Sequence, residues 1–210
     1  MKTAYSRGLV VALVAALVTL SVPRYAGAVA LTPGDTAAPT LFSGLPGTLL
    51  ATLVAPASSS TATFSITLTS AVFRNAGGTL DFYYQISNSA SSTGAIARLT
   101  TINFAGSTTD VGFRTDGATL AGSLFVNGTK PPNSVDRSSA GAGTTVAASF
   151  QASDSAKIQP VESSNVVVIR TNATNFAAGS ATVINGGFST VASFKPVVAA
   201  SVSRTELGVR

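Results

Sequence analysis

After residue 60 the chain alternates hydrophobic and polar residues over most of its length. In residues 62–70 the hydrophobic side chains Phe64, Ile66 and Leu68 are separated by Ser and Thr, and residues 80–86 repeat the pattern. A period of two predicts strands with one buried face and one solvent-facing face. A pair of glycines lies between the two runs, so we expect them to form an antiparallel hairpin.

Shorter runs of the same kind predict further strands. Two of the junctions carry an Asn-Gly pair, Asn127-Gly128 and Asn185-Gly186, which favours a hairpin turn with positive φ at both central positions. We expect the longest internal loop at residues 131–144, which hold two prolines and two glycines. The further strands are expected near residues 48–54, 97–104, 109–114, 119–126, 145–151, 165–171, 180–184 and 188–194.

The fold class follows from these strands, since nothing after residue 30 shows sustained helical periodicity. We predict an all-β fold, an antiparallel two-sheet β-sandwich of jelly-roll or immunoglobulin-like type with about nine or ten strands. A closed barrel is the alternative. Residues 29–60, rich in Pro, Gly and Ser, are expected to form an N-terminal arm, residues 61–195 the sandwich domain and residues 196–210 a C-terminal tail.

The first thirty residues predict export. Lys2 and Arg7 precede a continuous apolar stretch of thirteen residues, and small residues follow at the spacing that signal peptidase requires. We expect residues 1–28 to be a signal peptide that is cleaved after Ala28, with Ala30 as the later alternative. The stretch is shorter than the ~20 residues that cross a bilayer. We therefore expect a secreted protein, extracellular or at the cell surface, with no membrane association after cleavage.

Charge and composition exclude several classes of function. The net charge is +5, but the signal peptide carries three basic residues and no acid, which leaves ten basic and eight acidic residues. Such scattered, nearly balanced charge is not typical of nucleic-acid binding. The chain has no Cys, His or Trp, and so offers no thiolate, imidazole base or zinc cluster. We expect that the protein is not an enzyme.

Three acids and one aromatic residue are the candidate site residues. Asp110, Asp116 and Asp136 could supply oxygen ligands for Ca²⁺ from neighbouring loops, the only cofactor that the sequence suggests. Their spacing matches no calcium loop, and turn or salt-bridge roles are the alternative. Tyr83 is the candidate ligand contact, because the alternation predicts that it points outward whereas Tyr84 joins the core.

Hydrolase chemistry has little support in the sequence. Glu162 could be half of a carboxylate pair for glycoside hydrolysis, but nothing places a second acid at a fixed separation from it. Ser155 with Lys157, and Ser193 with Lys195, place a serine near a lysine. In a chain this rich in serine, such spacing arises by chance.

Four segments carry a resemblance to a known group of proteins. They are residues 72–88, which include Thr79-Leu80-Asp81-Phe82-Tyr83-Tyr84, and residues 108–113, 136–138 and 167–174. Together they resemble secreted bacterial β-rich proteins of the PEP-CTERM-associated type. The resemblance implies a surface or matrix protein of unassigned activity and brings no functional residues. Residues 194–210 contain neither a Pro-Glu-Pro-like start nor an apolar run long enough to span a bilayer, so we expect no sorting tail of that kind.

Export, a hydroxyl-rich surface and thinly charged strands together favour one function. We expect an exported, non-enzymatic structural or adhesive protein of the cell surface or extracellular matrix, with further copies of itself or surface polysaccharide as partners. The alternative is a β-sandwich module that binds a polysaccharide or small ligand. Its expected contacts are Tyr83 and the loop at residues 131–144.

Overall fold

The computed structural model describes residues 27–198. The predicted signal peptide therefore lies outside the described residues except for Gly27 and Ala28, and so does most of the predicted tail. Short 3₁₀ turns occur at Gly117–Thr119, Ala140–Ala142 and Asp154–Ala156. The thirteen strands of the described part are β1 (Val29–Ala30), β2 (Thr36–Ala37), β3 (Thr40–Leu41), β4 (Thr48–Ser58), β5 (Ser65–Arg74), β6 (Leu80–Asn88), β7 (Arg98–Thr101), β8 (Thr109–Arg114), β9 (Ser134–Arg137), β10 (Val146–Ser149), β11 (Val166–Thr171), β12 (Asn175–Asn185) and β13 (Gly187–Val197).

The strands form two sheets. The seven-stranded sheet has the order β1-β8-β11-β6-β5-β4, with β3 beside β1 on the same edge of β8, and the six-stranded sheet has the order β13-β12-β7-β10-β9-β2. All neighbours are antiparallel except β3 and β8, which are parallel. The predicted all-β fold with two antiparallel sheets is confirmed. The structure has more strands than the nine or ten predicted, mainly because three of the thirteen have only two residues.

Two of the long hairpins, β5–β6 and β12–β13, were predicted from turn signals in the sequence. Strands β5 and β6 pair from Ile66 with Asn88 to Arg74 with Leu80. Strands β12 and β13 meet at the second Asn-Gly pair, where Gly186 alone has a positive φ, 67°. The turn therefore uses one left-handed residue, where the sequence predicted two.

The strand predicted at residues 119–126 is wrong. This stretch forms a 3₁₀ turn and further turns, and Ala121, Gly122 and Ser123 have successive φ values of 48°, 67° and 67°. Three left-handed residues in a row cannot continue an extended strand. Asn127-Gly128 is consequently not a hairpin turn, and residues 115–133 form the longest connection among the described residues.

The N-terminal segment and the predicted loop also differ from expectation. Residues 29–60, expected as an arm, supply β1 to β4 and thus belong to both sheets. Residues 131–144, expected as the longest loop, contain β9, which pairs with β2 and β10. The short strands β1, β2 and β3 pair with distant residues of β8 and β9, and such pairing leaves no local period in the sequence.

The main core lies between the sheets. The inward residues of the β5–β6 hairpin are all buried there, as the alternation predicted, and Tyr84 is among them with no exposed surface. Phe82 and Phe104 meet edge to face at 5.8 Å between ring centroids. The largest side chains of this core are Phe64, Ile66, Leu68, Leu80, Phe82, Tyr84, Ile86, Ile96, Leu99, Phe104, Phe150, Ile158 and Ile169.

Candidate functional site

A second, smaller core covers the outer face of the seven-stranded sheet. It contains Tyr83, Phe73 and Val168 from the strands, with Phe125 from the 115–133 connection and Phe42 from the segment after β3. Tyr83 is fully buried, and its ring lies 4.6 Å from that of Phe73. The expectation that Tyr83 points outward into solvent is therefore wrong. Its side chain does leave the main core, but into a second apolar layer.

Gln85 holds the cover of this second core in place. Its side-chain Nε2 donates to the Val126 and Ser164 carbonyls, both at 2.8 Å, and its Oε1 accepts from the Val126 N–H at 2.9 Å. The Gln85 amide thus forms the two hydrogen bonds to the Val126 main chain that a neighbouring strand would otherwise supply. The sequence predicted that the polar face of β6 points to solvent. The Gln85 side chain on this face instead forms hydrogen bonds with the 115–133 connection.

Arg114 holds the segment after β3 on the same face. Its guanidinium binds both carboxylate oxygens of Asp116, at 2.9 and 2.6 Å, and donates to the Gly44 carbonyl. It also lies 5.7 Å from the centroid of the Phe42 ring. The hydrogen bonds from Arg114 lower the pKa of Asp116. Asp116, one of the predicted calcium ligands, is therefore already paired with a cation.

Three charged residues form a row across this outer face. Asp110 on β8, Arg170 on β11 and Asp81 on β6 are cross-strand neighbours on three adjacent strands. The side chain of Asp81 is 3% exposed; its Oδ1 accepts from Asn75 at 2.9 Å and its Oδ2 lies 3.6 Å from Arg170 Nε. Burial raises the pKa of Asp81, although Asn75 and Arg170 act in the opposite direction. The row thus places a buried acid against a guanidinium.

A cleft of about 350 Å³ opens beside Asp81 and Arg170. One wall is the segment from Phe42 to Gly47, and the other is the turn of the β5–β6 hairpin. The segment can approach this closely because residue 47 is glycine: a Cβ there would lie 1.8 Å from the Arg74 carbonyl oxygen. The walls are therefore built from two loops that glycine brings together.

The turn beside this cleft is fixed by Asn75. Its Oδ1 accepts from the main-chain N–H groups of Gly77 and Thr79, and its Nδ2 donates to the Thr79 hydroxyl as well as to Asp81. The side chain of Asn75 is therefore fully used within the protein. It positions Asp81 and leaves the other carboxylate oxygen facing Arg170.

A second cleft, of about 520 Å³, lies beside the buried Arg137. Arg137 has no carboxylate partner among residues 27–198; it donates through all three nitrogens to neutral oxygens, and burial lowers its pKa. Its donors are thus spent on the fold, which makes it a structural residue. The acceptors are the carbonyls of Leu31, Phe104, Ser107 and Gly143 and the hydroxyl of Thr109.

The three predicted calcium ligands are not brought together. Asp110 and Asp116 lie on the outer side of the seven-stranded sheet, whereas Asp136 lies on β9 of the other sheet and pairs with Arg98 at 2.7 Å. No group of three or more potential metal ligands occurs within residues 27–198. Asp116 and Asp136 form salt bridges with Arg114 and Arg98, the alternative that the sequence left open, and Asp110 is the cross-strand neighbour of Arg170.

The residues considered for hydrolysis have other partners. Glu162 lies 3.2 Å from the amine of Lys130 and accepts from the Gln159 N–H. Lys157 pairs with Asp154 at 2.8 Å instead of approaching Ser155. The sequence reasoning missed Asp81, Arg170 and Arg137, because single charges within strand patterns look like ordinary solvent-facing positions.

Comparison with known proteins adds no relative: no family model, curated protein or solved structure matches the chain. The resemblance to the PEP-CTERM-associated type therefore stays a prediction. In the part of the chain that the structure describes, no helix is long and apolar enough to span a membrane.

Proposed function

We propose that this protein is an exported, non-enzymatic structural or adhesive component of the cell surface or extracellular matrix, and that it associates with further copies of itself. The observation that carries the proposal is strand β4. This strand has eleven residues, forms an edge of the seven-stranded sheet and contains no charged residue. A long, uncharged edge presents unpaired backbone N–H and C=O groups to another strand, and this is the feature that monomeric proteins avoid.

The flank around β4 is apolar and carries little charge. Strand β13, the eleven-residue edge of the other sheet, lies beside β4 and carries one charge, Lys195. Exposed apolar side chains on the two strands add surface whose burial would favour association. They are Leu49, Leu50, Val54, Phe188 and Val197.

A second copy of β4 is the partner that we infer for this edge. The pairing of β4 with β5 shifts register between Leu49 and Ala51, and Pro56 cannot donate to a new ladder. Residues 51–55 are the uninterrupted part between these two features. An antiparallel strand can pair with itself across a twofold axis, so the contact would centre on Leu53.

The test compares two valines of equal exposure. Val54 on β4 and Val126 in the 115–133 connection are both 49% exposed. Sedimentation velocity of the mature protein over a range of concentrations should show association, and Val54→Lys should abolish it because a lysine on an edge strand blocks further pairing. Val126→Lys should leave association unchanged. A wild-type protein that stays monomeric at every concentration, or equal effects of the two variants, would overturn the proposal.

The cellular side of the proposal needs a separate measurement. Fractionation of the native host should place the protein in the medium, the matrix or the envelope surface; recovery from the cytoplasm would contradict export. The ligand-binding alternative loses the contacts that the sequence offered for it, because Tyr83 is buried and residues 131–144 are partly a strand.

A further inference from the structure

The two Asn-Gly pairs of the chain lie in different surroundings, and this difference bears on their chemistry. In such a pair the main-chain nitrogen of the glycine can attack the side-chain amide carbon of the asparagine, because glycine has no side chain to obstruct the attack. The reaction requires that the two atoms come into contact in the folded chain. The restraints on Asn127-Gly128 and on Asn185-Gly186 therefore decide which pair can react.

The first pair is restrained at both residues. Asn127 Oδ1 accepts a hydrogen bond from the Ala118 N–H at 2.9 Å, which holds the side chain on the 3₁₀ turn. The backbone of Gly128 is packed closely, because a Cβ there would lie 1.9 Å from the Ser164 carbonyl oxygen. Attack within this pair must break a hydrogen bond and displace a packed backbone.

The second pair, in the turn of the β12–β13 hairpin, lacks these restraints. No residue within 27–198 forms a hydrogen bond with the Asn185 side chain or with the Gly186 N–H. Gly186 is exposed, and a Cβ there would meet nothing within 4 Å. The asparagine side chain can therefore rotate towards the glycine nitrogen without loss of a hydrogen bond.

We propose that Asn185 is a site of spontaneous modification in the folded protein, where it converts to aspartate and isoaspartate, whereas the fold protects Asn127. The Gly186 nitrogen loses its proton and forms a bond to Asn185 Cγ, the Cγ–Nδ2 bond breaks, and ammonia leaves with the proton. Water then opens the succinimide ring. Cleavage of the new bond gives aspartate, and cleavage of the original peptide bond gives isoaspartate.

The modification would change the tip of the hairpin. Either product places a carboxylate beside Phe188, one of the exposed apolar residues. Isoaspartate also inserts the side-chain methylene carbon into the backbone, where Asn185 pairs with Gly187. The reaction uses only water, so the converted fraction should rise with the age of the folded molecule. The proposal concerns this turn and not the pairing of β4, so it does not depend on self-association.

The test incubates the folded mature protein at mildly alkaline pH in water enriched in heavy oxygen, followed by peptide mass spectrometry. Each conversion replaces NH with an oxygen atom from the solvent, so the label excludes modification acquired during expression. Conversion at Asn185 should exceed that at Asn127 by about tenfold or more, because only Asn127 has a hydrogen bond to break and a packed glycine beside it.

The unfolded protein and one variant are the controls. In urea the restraints of the fold are absent, so the two asparagines should convert at similar rates. Gly186→Ala adds a methyl group in open space and should slow conversion at Asn185 without altering Asn127. The proposal is overturned if Asn185 stays unmodified in the folded protein, if Asn127 converts as fast, if their difference persists in urea, or if Gly186→Ala converts like the wild type.

Discussion

The Tyr84 hydroxyl donates a hydrogen bond to the main-chain carbonyl of Phe194 at 2.8 Å and so joins the two sheets across the main core. Tyr83, its neighbour on β6, points to the opposite face of the sheet. In the described part of the chain, no residue forms a hydrogen bond of ordinary geometry with the Tyr83 hydroxyl, which is also buried. The buried Tyr84 hydroxyl therefore has a hydrogen-bond acceptor, and the buried Tyr83 hydroxyl has none among the described residues.

Removal of these hydroxyls should affect stability differently. Tyr84→Phe should lower the free energy of unfolding by about 1 kcal/mol or more, because the Phe194 carbonyl then loses a buried donor. Tyr83→Phe should leave the free energy of unfolding unchanged or raise it, because no hydrogen bond offsets the cost of burying that hydroxyl. Urea unfolding of the two variants beside the wild type measures both. An equal loss in the two variants would contradict this assignment.

Arg137 should be among the most sensitive charged residues. Arg137→Met keeps much of the apolar stem but leaves several buried oxygens without their donor, and we expect a loss of at least about 3 kcal/mol in unfolding free energy. Arg98→Met is the control, because Arg98 forms a partly exposed salt bridge with Asp136 and should cost about 1 kcal/mol. If the two variants are equally stable in urea, Arg137 is not the structural residue described above.

Gly128 tests the cover of the second core. A Cβ at this position would lie 1.9 Å from the Ser164 carbonyl oxygen, so Gly128→Ala must displace the backbone and should cost about 2–3 kcal/mol. Gly122→Ala, in the same connection, meets nothing within 4 Å and should cost about 1–2 kcal/mol through its positive φ alone. Hydrogen exchange at the Val126 amide should accelerate in the first variant and not in the second.

Asp81 should make stability depend on pH. Burial raises its pKa above 3.8, so the folded protein holds this proton more tightly than the unfolded chain does. Its contribution is present at low pH and is lost as the pH rises through the folded pKa. The unfolding free energy of Asp81→Asn, relative to the wild type, should therefore increase between about pH 3 and about pH 7.

Asp116→Asn is the control for this pH dependence. Arg114 lowers the pKa of Asp116, so its contribution is present at neutral pH and is lost as the pH falls through the folded pKa. Relative to the wild type, the stability of this variant should decrease over the same rise in pH. If the stability difference from the wild type changes in the same direction with pH in both variants, the pKa shifts assigned to Asp81 and Asp116 are contradicted.

Strand β1 predicts where the proposed signal peptide is cleaved. Val29 and Ala30 pair with Val111 and Asp110, so cleavage after Ala28 keeps this strand and cleavage after Ala30 removes it. We expect mass spectrometry of the secreted protein to find Val29 as the first residue. A mature chain that begins at Leu31 would show that β1 is dispensable.

Local pattern predicted the sheets but not what covers them. The β5–β6 hairpin and strand β8 could be located because their alternation is complete within a few residues. The outer face of β6 reads as solvent-facing, because Asp81, Tyr83 and Gln85 are polar or amphipathic. The burial of Tyr83 and Gln85 depends on a connection about forty residues away in the chain. A local alternation of hydrophobic and polar residues says nothing about contacts at that separation.

The candidate cleft was even less accessible to sequence reasoning. Asp81 and Arg170 are 89 residues apart in the chain and become neighbours only through the register of β6 and β11. Their facing wall comes from residues 42–47, which look like part of an unstructured arm. The sequence did single out residues 72–88 and 167–174, but as a resemblance and without a role for either charge.

The pairing of the first strands has a consequence for the order of folding. Thr36 pairs with Asp136, and Val29 pairs with Val111. A chain leaves the ribosome amino end first, so these strands remain without partners until 82 residues have followed Val29 and 100 residues have followed Thr36. Pairings over such separations close slowly. The amino end is therefore among the last parts of the sandwich to become fixed, which would leave time for a leader to be recognised and removed before the fold encloses it.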